Sequence, residues 1–281
     1  MVLALVLGMS LVAAVPAMAI GTLPANPTAP VLGEAGRFVI LASQTITTTS
    51  GSHVSDGDLG VMDEARSYAA AGFTAIGSPD IGALAELTNG LSYASDDANP
   101  SPIPYPLHYS TPTIGATWTT TGAMLTQSKT DVGVAFTFLA ADPNPGAPTQ
   151  VCPIELGNKT LTRGVYKTGS SVTISTGDLT LDAQGDPNSI FIFNISGNLS
   201  TIPPSGNPTL GGNIKLINGA QAKNVYWRTG GYTSIGAGTQ FNGSVFAWTD
   251  VNVLAGAKVT GSLFSSTTQV TLISDTVTKA P

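Results

Sequence analysis

Gln240-Phe-Asn-Gly-Ser-Val-Phe-Ala-Trp-Thr-Asp-Val-Asn-Val253 is followed by a second version of itself, Lys258-Val-Thr-Gly-Ser-Leu-Phe-Ser-Ser-Thr-Thr-Gln-Val-Thr-Leu272. The glycine, serine and phenylalanine positions of the first copy recur 18 residues later. The segment beginning at Thr249 is matched by the segment beginning at Thr268, so the turn has gained one residue. Repeats made of two brief alternating strands and glycine turns are typical of a β-solenoid, in which each coil packs its apolar side against the next.

The composition limits the possible partners. Only 10% of the 281 residues are charged and the formal net charge is -6. A chain without a basic patch has nothing to replace the counterions of a nucleic acid, so we expect no nucleic-acid binding. Cys152 is the only cysteine and is interpreted as a packing residue, because a nucleophilic role needs a nearby histidine. No metal-ligand spacing or phosphate loop appears, and no cofactor is expected.

The amino terminus has the features of a secretion signal. Residues 1–19 are apolar and end in Ala17-Met-Ala19, a small-residue cleavage pattern. We therefore expect a signal peptide over 1–19 and a secreted, single-domain mature protein over 20–281. The alternative is a transmembrane anchor, but Pro16 interrupts a run that is already short for a span.

Two segments depart from the strand pattern. The stretch from Ala65 to about Tyr109 is Ala-rich and then Pro-rich. We interpret residues 74–122 as an irregular cap insertion, which a solenoid needs at an open end. Residues 123–141 are predicted to form one long helix, because Met124, Val132 and Leu139 fall on one apolar stripe. Packing along the solenoid is the expected use of that stripe, with a membrane or partner surface as the alternative.

Several strands share one form: a small residue or threonine, a polar residue, a branched apolar residue, and a small hydroxyl or amide residue. Thr249-Asp-Val-Asn252 and Thr268-Gln-Val-Thr271 are examples. The third position is predicted to point inward, so the second and fourth point outward. The outward set is Thr45, Thr47, Asp178, Thr180, Asn198, Ser200, Ser234, Gly236, Asp250, Asn252, Gln269 and Thr271.

Stacking these positions predicts a flat, repetitive face of short side chains about 4.8 Å apart. Such a face suits a flat, periodic partner, because small-molecule sites are concave. Threonine is suitable because β-branching fixes its χ1 before binding. Ice and crystalline polysaccharide are two such partners. The alternative is that threonine merely favours an exposed sheet.

The sequence resembles the secreted ice-binding (antifreeze) protein family of cold-adapted microorganisms. The resemblance is carried by residues 32–42, 58–61, 71–73, 159–167, 190–193, 219–227, 241–245 and 259–263. It implies a mainly β, right-handed parallel β-solenoid of triangular section with one helix alongside. It also implies a discontinuous solenoid, in which the N-terminal coil docks between later coils. The implied function is adsorption to ice, giving thermal hysteresis and inhibiting recrystallisation. We expect the protein to be a monomer with no membrane partner.

The family's loose Thr-Ala/Gly-x-Thr/Asn pattern adds first positions to the outward set. Ladder and resemblance together predict an ice-binding face of Thr45, Thr47, Asp178, Thr180, Ser200, Thr233, Ser234, Gly236, Thr249, Asp250, Asn252, Thr268, Gln269 and Thr271. Asp178, Asp250 and Gln269 are bulkier and more hydrated than the pattern's small residues, so moderate hysteresis is expected. Asn198 begins a glycosylation sequon, and we expect it to be unmodified or off the binding patch.

Two other classes of function compete. Polysaccharide-cleaving enzymes also use β-solenoids, but they need clustered carboxylates, and Glu34, Glu64, Glu86 and Glu155 are scattered along the chain. A polysaccharide-binding or adhesin module would also use a repetitive face, and it remains the alternative to ice binding.

Overall fold

The computed structural model describes residues 24–49, 51–76, 83–97, 120–141, 143 and 149–281. The expected signal peptide and most of the predicted cap lie outside these ranges. Short strands dominate the described chain. In order they are β1 Phe38–Ala42, β2 Thr45–Thr48, β3 His53–Ser55, β4 Asp58–Val61, β5 Ala70–Ala71, β6 Leu87–Thr88, β7 Ser92–Ala94, β8 Gln150–Val151, β9 Thr160–Thr162, β10 Gly164–Thr168, β11 Val172–Ile174, β12 Leu179–Asp182, β13 Phe191–Ile195, β14 Leu199–Thr201, β15 Ile214–Ile217, β16 Val225–Thr229, β17 Thr233–Ile235, β18 Gln240–Asn242, β19 Ser244–Ala247, β20 Val251–Val253, β21 Lys258–Thr260, β22 Leu263–Ser265, β23 Gln269–Leu272 and β24 Thr276–Thr278. The helices are α1 Arg66–Ala69 and α2 Thr121–Ala140.

The strands stack into a solenoid with three sides. The first side is a nine-stranded sheet in the order β7-β4-β1-β22-β19-β16-β13-β10-β8. The second is a seven-stranded sheet, β11-β14-β17-β20-β23-β2-β5. The third side has a three-stranded sheet, β15-β12-β9, and a five-stranded sheet, β18-β21-β24-β3-β6. Neighbouring strands are parallel, as in the register of β19 with β22. The predicted parallel β-solenoid is confirmed.

The solenoid is discontinuous, as the resemblance implied. Strands β1, β2 and β3 form the N-terminal coil, and they pair with β22, β23 and β24 of the C-terminal coil. The next N-terminal strands, β4 to β7, continue the stack beyond β1 to β3. The described part of the predicted cap is therefore not irregular, because β6 and β7 add edge strands to two sides.

The glycines of the repeat form the corners between the third side and the nine-stranded side. Gly243 and Gly261 have φ of 116° and 153°. A Cβ on Gly261 would lie 2.1 Å from the carbonyl oxygen of Gly243 in the neighbouring coil. Successive coils therefore approach each other at this corner more closely than any side chain permits.

Two apolar cores stabilise the fold. Inside the solenoid, Trp227 stacks on Phe193 with ring centroids 3.9 Å apart, and Phe193 stacks on Tyr166. Outside the nine-stranded sheet, Tyr226, Phe246 and other side chains pack beneath α2. Strand β1 of this sheet is apolar and buried at every position because both faces of the sheet are covered there.

Helix α2 matches the predicted helix, with each end shifted by one or two residues toward the N-terminus. Thr120 caps it, because its Oγ1 accepts from the backbone N–H of Ala123 at 3.1 Å. Leu125 and Leu139 are fully buried against the sheet, and each contributes about 1.5–3 kcal/mol through burial. Packing along the solenoid is thus confirmed for the predicted stripe. No helix within the described ranges has both the length and the apolar character needed to cross a membrane.

A buried ionic cluster holds the N-terminal coil beneath α2. Arg37 Nε donates to Asp58 Oδ2 over 2.7 Å, and its guanidinium also contacts Glu34 and Tyr93. Burial raises the pKa of the Asp58 carboxyl despite the neighbouring Arg37. Removing either partner would leave an unpaired buried charge, which typically costs about 3–5 kcal/mol.

Candidate functional site

The outer face of the seven-stranded sheet is here called the ladder face, and the described strands of this sheet carry no lysine or arginine. The nine-stranded side is covered by α2. On the third side, Lys258 and His53 are exposed and lie in one row, on the two strands that flank Thr276 of β24. The described part of the ladder face runs across the sheet from Ser171, before β11, to Thr45 on β2. Its ionisable side chains there are Tyr232 and Asp250.

The central row of the ladder face is set by strand register. Each member pairs with the next: Thr173 with Ser200, Ser200 with Ser234, Ser234 with Asn252, Asn252 with Thr271, Thr271 with Thr47, and Thr47 with Ala71. The side chains of the row from Thr173 to Thr47 are half-buried, so each packs against its neighbours and exposes part of its surface. The row spacing equals the strand spacing of about 4.8 Å.

A preceding row lies two residues earlier on each strand. Gln269 pairs with Thr45 in register, and the same alignment places Ser171, Asn198, Tyr232 and Asp250 in this row. Asn198 is tied down on both sides: its N–H donates to Ser171 Oγ and its Oδ1 accepts from the N–H of Tyr232, each over 3.0 Å. These hydrogen bonds order Asn198 before a partner binds, so less conformational entropy is lost on binding.

Asn198 therefore lies on the ladder face. That its sequon is unmodified, or lies off the patch that contacts ice, stays a prediction. Asn194, another sequon, is buried and donates to the carbonyl of Ala140. A glycan at Asn194 would require this contact and the helix end to open.

Glu155 closes one end of the ladder face. Its carboxylate accepts from Thr173 Oγ1 at 2.7 Å, from Ser175 Oγ at 2.5 Å and from the N–H of Gly157 at 2.6 Å. Partial burial alone would raise the pKa of Glu155, but the bonds from Ser175, Thr173 and Gly157 outweigh it and lower the pKa to about 2. The ionised carboxylate therefore accepts hydrogen bonds from the edge strand β11 and from the turn after it, and it donates none.

The placement of Asp178 and Thr180 on this face is wrong. They flank or belong to β12, which pairs with β9 and β15 on the third side. Asp178 Oδ2 is bound to Lys215 Nζ over 2.6 Å, and Asp178 Oδ1 accepts from Asn213. The error has a physical cause: strands on every side of a solenoid alternate inward and outward, so one local pattern fits them all. The strand that belongs here is β11, whose outward residue is Thr173.

The predicted alignment of β17 is wrong by two residues. Ser234 pairs with Asn252 rather than standing beside Asp250. A two-residue shift keeps every side chain on its predicted face, so alternation could not reveal it. Gly236 consequently lies beyond the central row. It is buried, and its N–H donates to Thr201 Oγ1 at 2.7 Å.

The first-position threonines are not members of the rows. Thr233 is fully buried and its Oγ1 lies 3.1 Å from Thr229 Oγ1 inside the solenoid. Thr249 and Thr268 are half-buried in the corner turns before β20 and β23. The first position of the four-residue pattern lies two residues before the third, so both point toward the inside of the solenoid. The prediction that Thr233 lies on the binding surface is therefore wrong.

The ladder face has a dent at β17. It is a depression of about 360 Å³ lined by Ser200, Ile202, Tyr232, Ser234, Gly236, Asp250, Asn252 and Leu254, among others. Ser234 and Gly236 are small, whereas Tyr232, Ile202 and Leu254 around them are exposed. Thr173, Tyr232 and these aliphatic residues are not among the residues predicted from the sequence. The alternation of Val172-Thr173-Ile174 was the available signal for Thr173.

The described residues offer no catalytic constellation. They contain no group of three or more His, Cys, Asp or Glu side chains that could hold a metal ion. Burial raises the pKa of Cys152 to about 12, so its thiol stays protonated. The side chain lies in the solenoid core, in agreement with a packing residue.

Comparisons with known proteins agree with this geometry. The Ice-binding-like family matches residues 40–278. Ice-binding protein 1 of Shewanella frigidimarina (strain NCIMB 400) is 60% identical over 258 residues, covering 92% of this chain and 27% of that protein. An ice-binding protein of a Colwellia species is 33% identical, covering 90% and 85% of the two chains. The chain thus spans about a quarter of the first relative's length.

Solved structures give the same result. The DUF3494 domain of Shewanella frigidimarina ice-binding protein 1 superposes with a TM-score of 0.79 at 57% identity, covering 91% of this chain and 99% of that domain. A glycosylated ice-binding protein from an Arctic yeast gives 0.68 at 28% identity, covering 88% and 93%.

Proposed function

Because the chain belongs to the Ice-binding-like family, we propose that it is an ice-binding protein that adsorbs to ice through its ladder face. Adsorption would produce thermal hysteresis and inhibit recrystallisation. The relatives it resembles are ice-binding proteins rather than enzymes, so no catalytic activity is assigned.

The observation that carries the proposal is the unbroken central row from Thr173 to Ala71, aligned strand by strand. Its members are short, and several are β-branched, so few rotamers are lost on contact. A surface of this shape matches a flat crystal rather than a compact ligand.

The preceding row limits the strength of adsorption. Asp250 and Gln269 stand next to the central row with larger, strongly hydrated side chains. Hydration water must be displaced or reordered around them before ice can meet the face. We therefore propose moderate rather than strong hysteresis.

The ladder face would also fit a crystalline polysaccharide, the alternative considered above. The relatives' names favour ice over that alternative. We further propose that residues 1–19 direct secretion, and that the protein acts as a monomer without nucleic-acid or membrane partners.

Ice-affinity partitioning tests the proposal directly. The protein is mixed with a marker protein that does not bind ice, and an ice hemisphere is grown slowly on a cold finger. Enrichment in the ice and exclusion of the marker support ice binding. Exclusion of both proteins, together with retention on insoluble glycan, would support the polysaccharide alternative instead.

A further inference from the structure

A third row borders the ladder face on its other edge, two residues beyond the central row. The backbone bonds continue there in register: Leu254 N–H donates to Ile235, Ile273 N–H to Val253, and Ile202 N–H to Ile174. The same alignment adds Ser175 and Thr49. These positions follow the outward alternation of the sheet, so their side chains share the face of the central row.

Three of the six positions of this third row, Ile202, Leu254 and Ile273, carry aliphatic side chains, and the others are Ser175, Gly236 and Thr49. We call it the aliphatic row. Ile202 is 50% exposed and Leu254 is 36% exposed, and Ile273 is partly exposed beside Leu254. Scattered exposed apolar residues are normal on a soluble protein, whereas an aligned set marks an interaction surface. None of the third-row residues is charged.

We propose that the aliphatic row is part of the ice-contacting surface, which is then three rows wide. The inference rests on the proposed function and extends its site to residues that the threonine pattern does not include. Water beside an aliphatic group cannot hydrogen-bond to it and is easily released or ordered. Methyl groups of Leu254 and Ile273 stand at strand spacing, as do the hydroxyls of the central row, so both sets can meet one crystal plane.

Gly236 divides this row. A Cβ at that position would lie 2.3 Å from the carbonyl oxygen of Thr201 and 2.8 Å from Pro203 Cδ. No larger residue fits without moving the backbone, so the dent at β17 separates Ile202 from Leu254. The continuous part of the row is therefore Leu254 with Ile273, next to Asn252 and Thr271 of the central row.

The double variant Leu254→Asn/Ile273→Asn tests this inference, because asparagine keeps the size and adds no charge but binds water. Two matched controls replace exposed aliphatic residues elsewhere: Val134→Asn on α2, which is 59% exposed, and Ile217→Asn on β15, which is 39% exposed. Thermal hysteresis and the melting midpoint by circular dichroism are measured for all of them, and the single variant Ile202→Asn is added as a second test of the same row.

We expect the double variant to lose at least about half of the hysteresis while the controls keep it, because hydration of asparagine must be undone on contact. Wild-type hysteresis in both the double variant and Ile202→Asn, or equal losses in the controls, would overturn the inference. Absence of hysteresis and of ice partitioning in the unmodified protein would instead overturn the proposed function.

Discussion

Thr47 Oγ1 donates a hydrogen bond to Thr271 Oγ1 over 3.2 Å, although 224 residues separate the two in the chain. The bond joins the N-terminal coil to the C-terminal coil on the ladder face. Strand β2 lies between β23 and β5 in this sheet. The discontinuity of the solenoid therefore lengthens the ladder face beyond what the C-terminal repeats alone would provide.

Thr271→Tyr should abolish most of the thermal hysteresis. A tyrosine ring would rise above its neighbours Thr47 and Asn252 and hold a flat crystal away from the rows. The matched control is Thr260→Tyr, since Thr260 also belongs to a row of short polar side chains, with Asn242, Thr278 and Ser55 on the third side. Nanolitre osmometry should show a large loss for Thr271→Tyr only, and equal losses would contradict the choice of face.

Thr260→Tyr is a strict control because the row around Thr260 is similar to the central row of the ladder face. The third side has a regular hydroxyl row, and Ser55 Oγ donates to Thr278 Oγ1 over 3.1 Å as Thr47 does to Thr271. Its adjacent row, however, includes exposed Lys258 and His53. The comparison thus asks whether a flat, uncharged surface is required in addition to a ladder of hydroxyls.

Asp250→Ala should raise the hysteresis, in accordance with the proposed limit on adsorption. The substitution removes a hydrated carboxylate beside the central row and exposes a methyl group in its place. Gln269→Ala, in the same row, should act in the same direction. Ice-growth measurements at equal protein concentration check both variants, and a decrease in either would show that the polar side chain itself contacts the ice.

Ser234→Thr should also raise the hysteresis, by filling part of the dent at β17. Ser234 is flanked in register by Ser200 and Asn252, and its side chain points outward with room for a methyl group. Threonine adds that methyl in a fixed rotamer. Ser55→Thr, on the third side of the solenoid, serves as the control and should leave activity unchanged. No gain at Ser234 would mean that the dent does not limit contact.

The sequence predicts the solenoid well because coils repeat within the chain, as positions 240–253 and 258–272 show directly. It predicts the inward or outward direction of a side chain almost as well, since that follows from alternation alone. It does not predict which side of the solenoid a strand belongs to. Asp178 fits the pattern for this reason, although β12 pairs with β9 and β15 on the third side.

The register between neighbouring strands is even harder to predict from the sequence than the side to which a strand belongs. Ser234 was assigned to the wrong row because Thr233-Ser-Ile-Gly fits the pattern two residues out of step. What fixes the true register is the neighbouring strand, where Leu199 pairs with Thr233. The aliphatic row was missed for a related reason: Ile202 and Leu254 resemble core residues in sequence, and only the corner turns that follow them leave them exposed.

Cys152 should be inert toward thiol reagents in the folded protein. The side chain is 2% exposed and burial raises its pKa to about 12, so almost no thiolate is present at pH 8. Reaction with a disulfide reagent at pH 8 should be at least about 100-fold slower in buffer than in guanidinium chloride, since it requires opening. Ser200→Cys, placed on the ladder face, should react at once; fast reaction of Cys152 itself would disprove its packing role.

Asp275→Asn should stabilise the protein at alkaline pH and not at acid pH. Asp275 is 3% exposed, its Oδ2 accepts from the N–H of Ile273 at 2.8 Å, and its Oδ1 has no hydrogen-bond partner in the described chain. Burial raises its pKa to about 6, against the lowering effect of bonds from Ile273 and Ser52. The folded state therefore holds the Asp275 proton more tightly than the unfolded state, whose aspartate pKa is about 4.

The sign of the effect follows from this difference in proton binding. Between pH 4 and pH 6 the folded state carries more protons, so the contribution of Asp275 to the free energy of unfolding falls as pH rises. Above about pH 7 the ionised carboxylate costs on the order of 2 kcal/mol, which Asp275→Asn would remove. Urea unfolding should show the variant more stable at pH 8 and equal to wild type at pH 4. A constant difference between Asp275→Asn and wild type at both pH values would show that the variant acts through packing rather than through the buried charge.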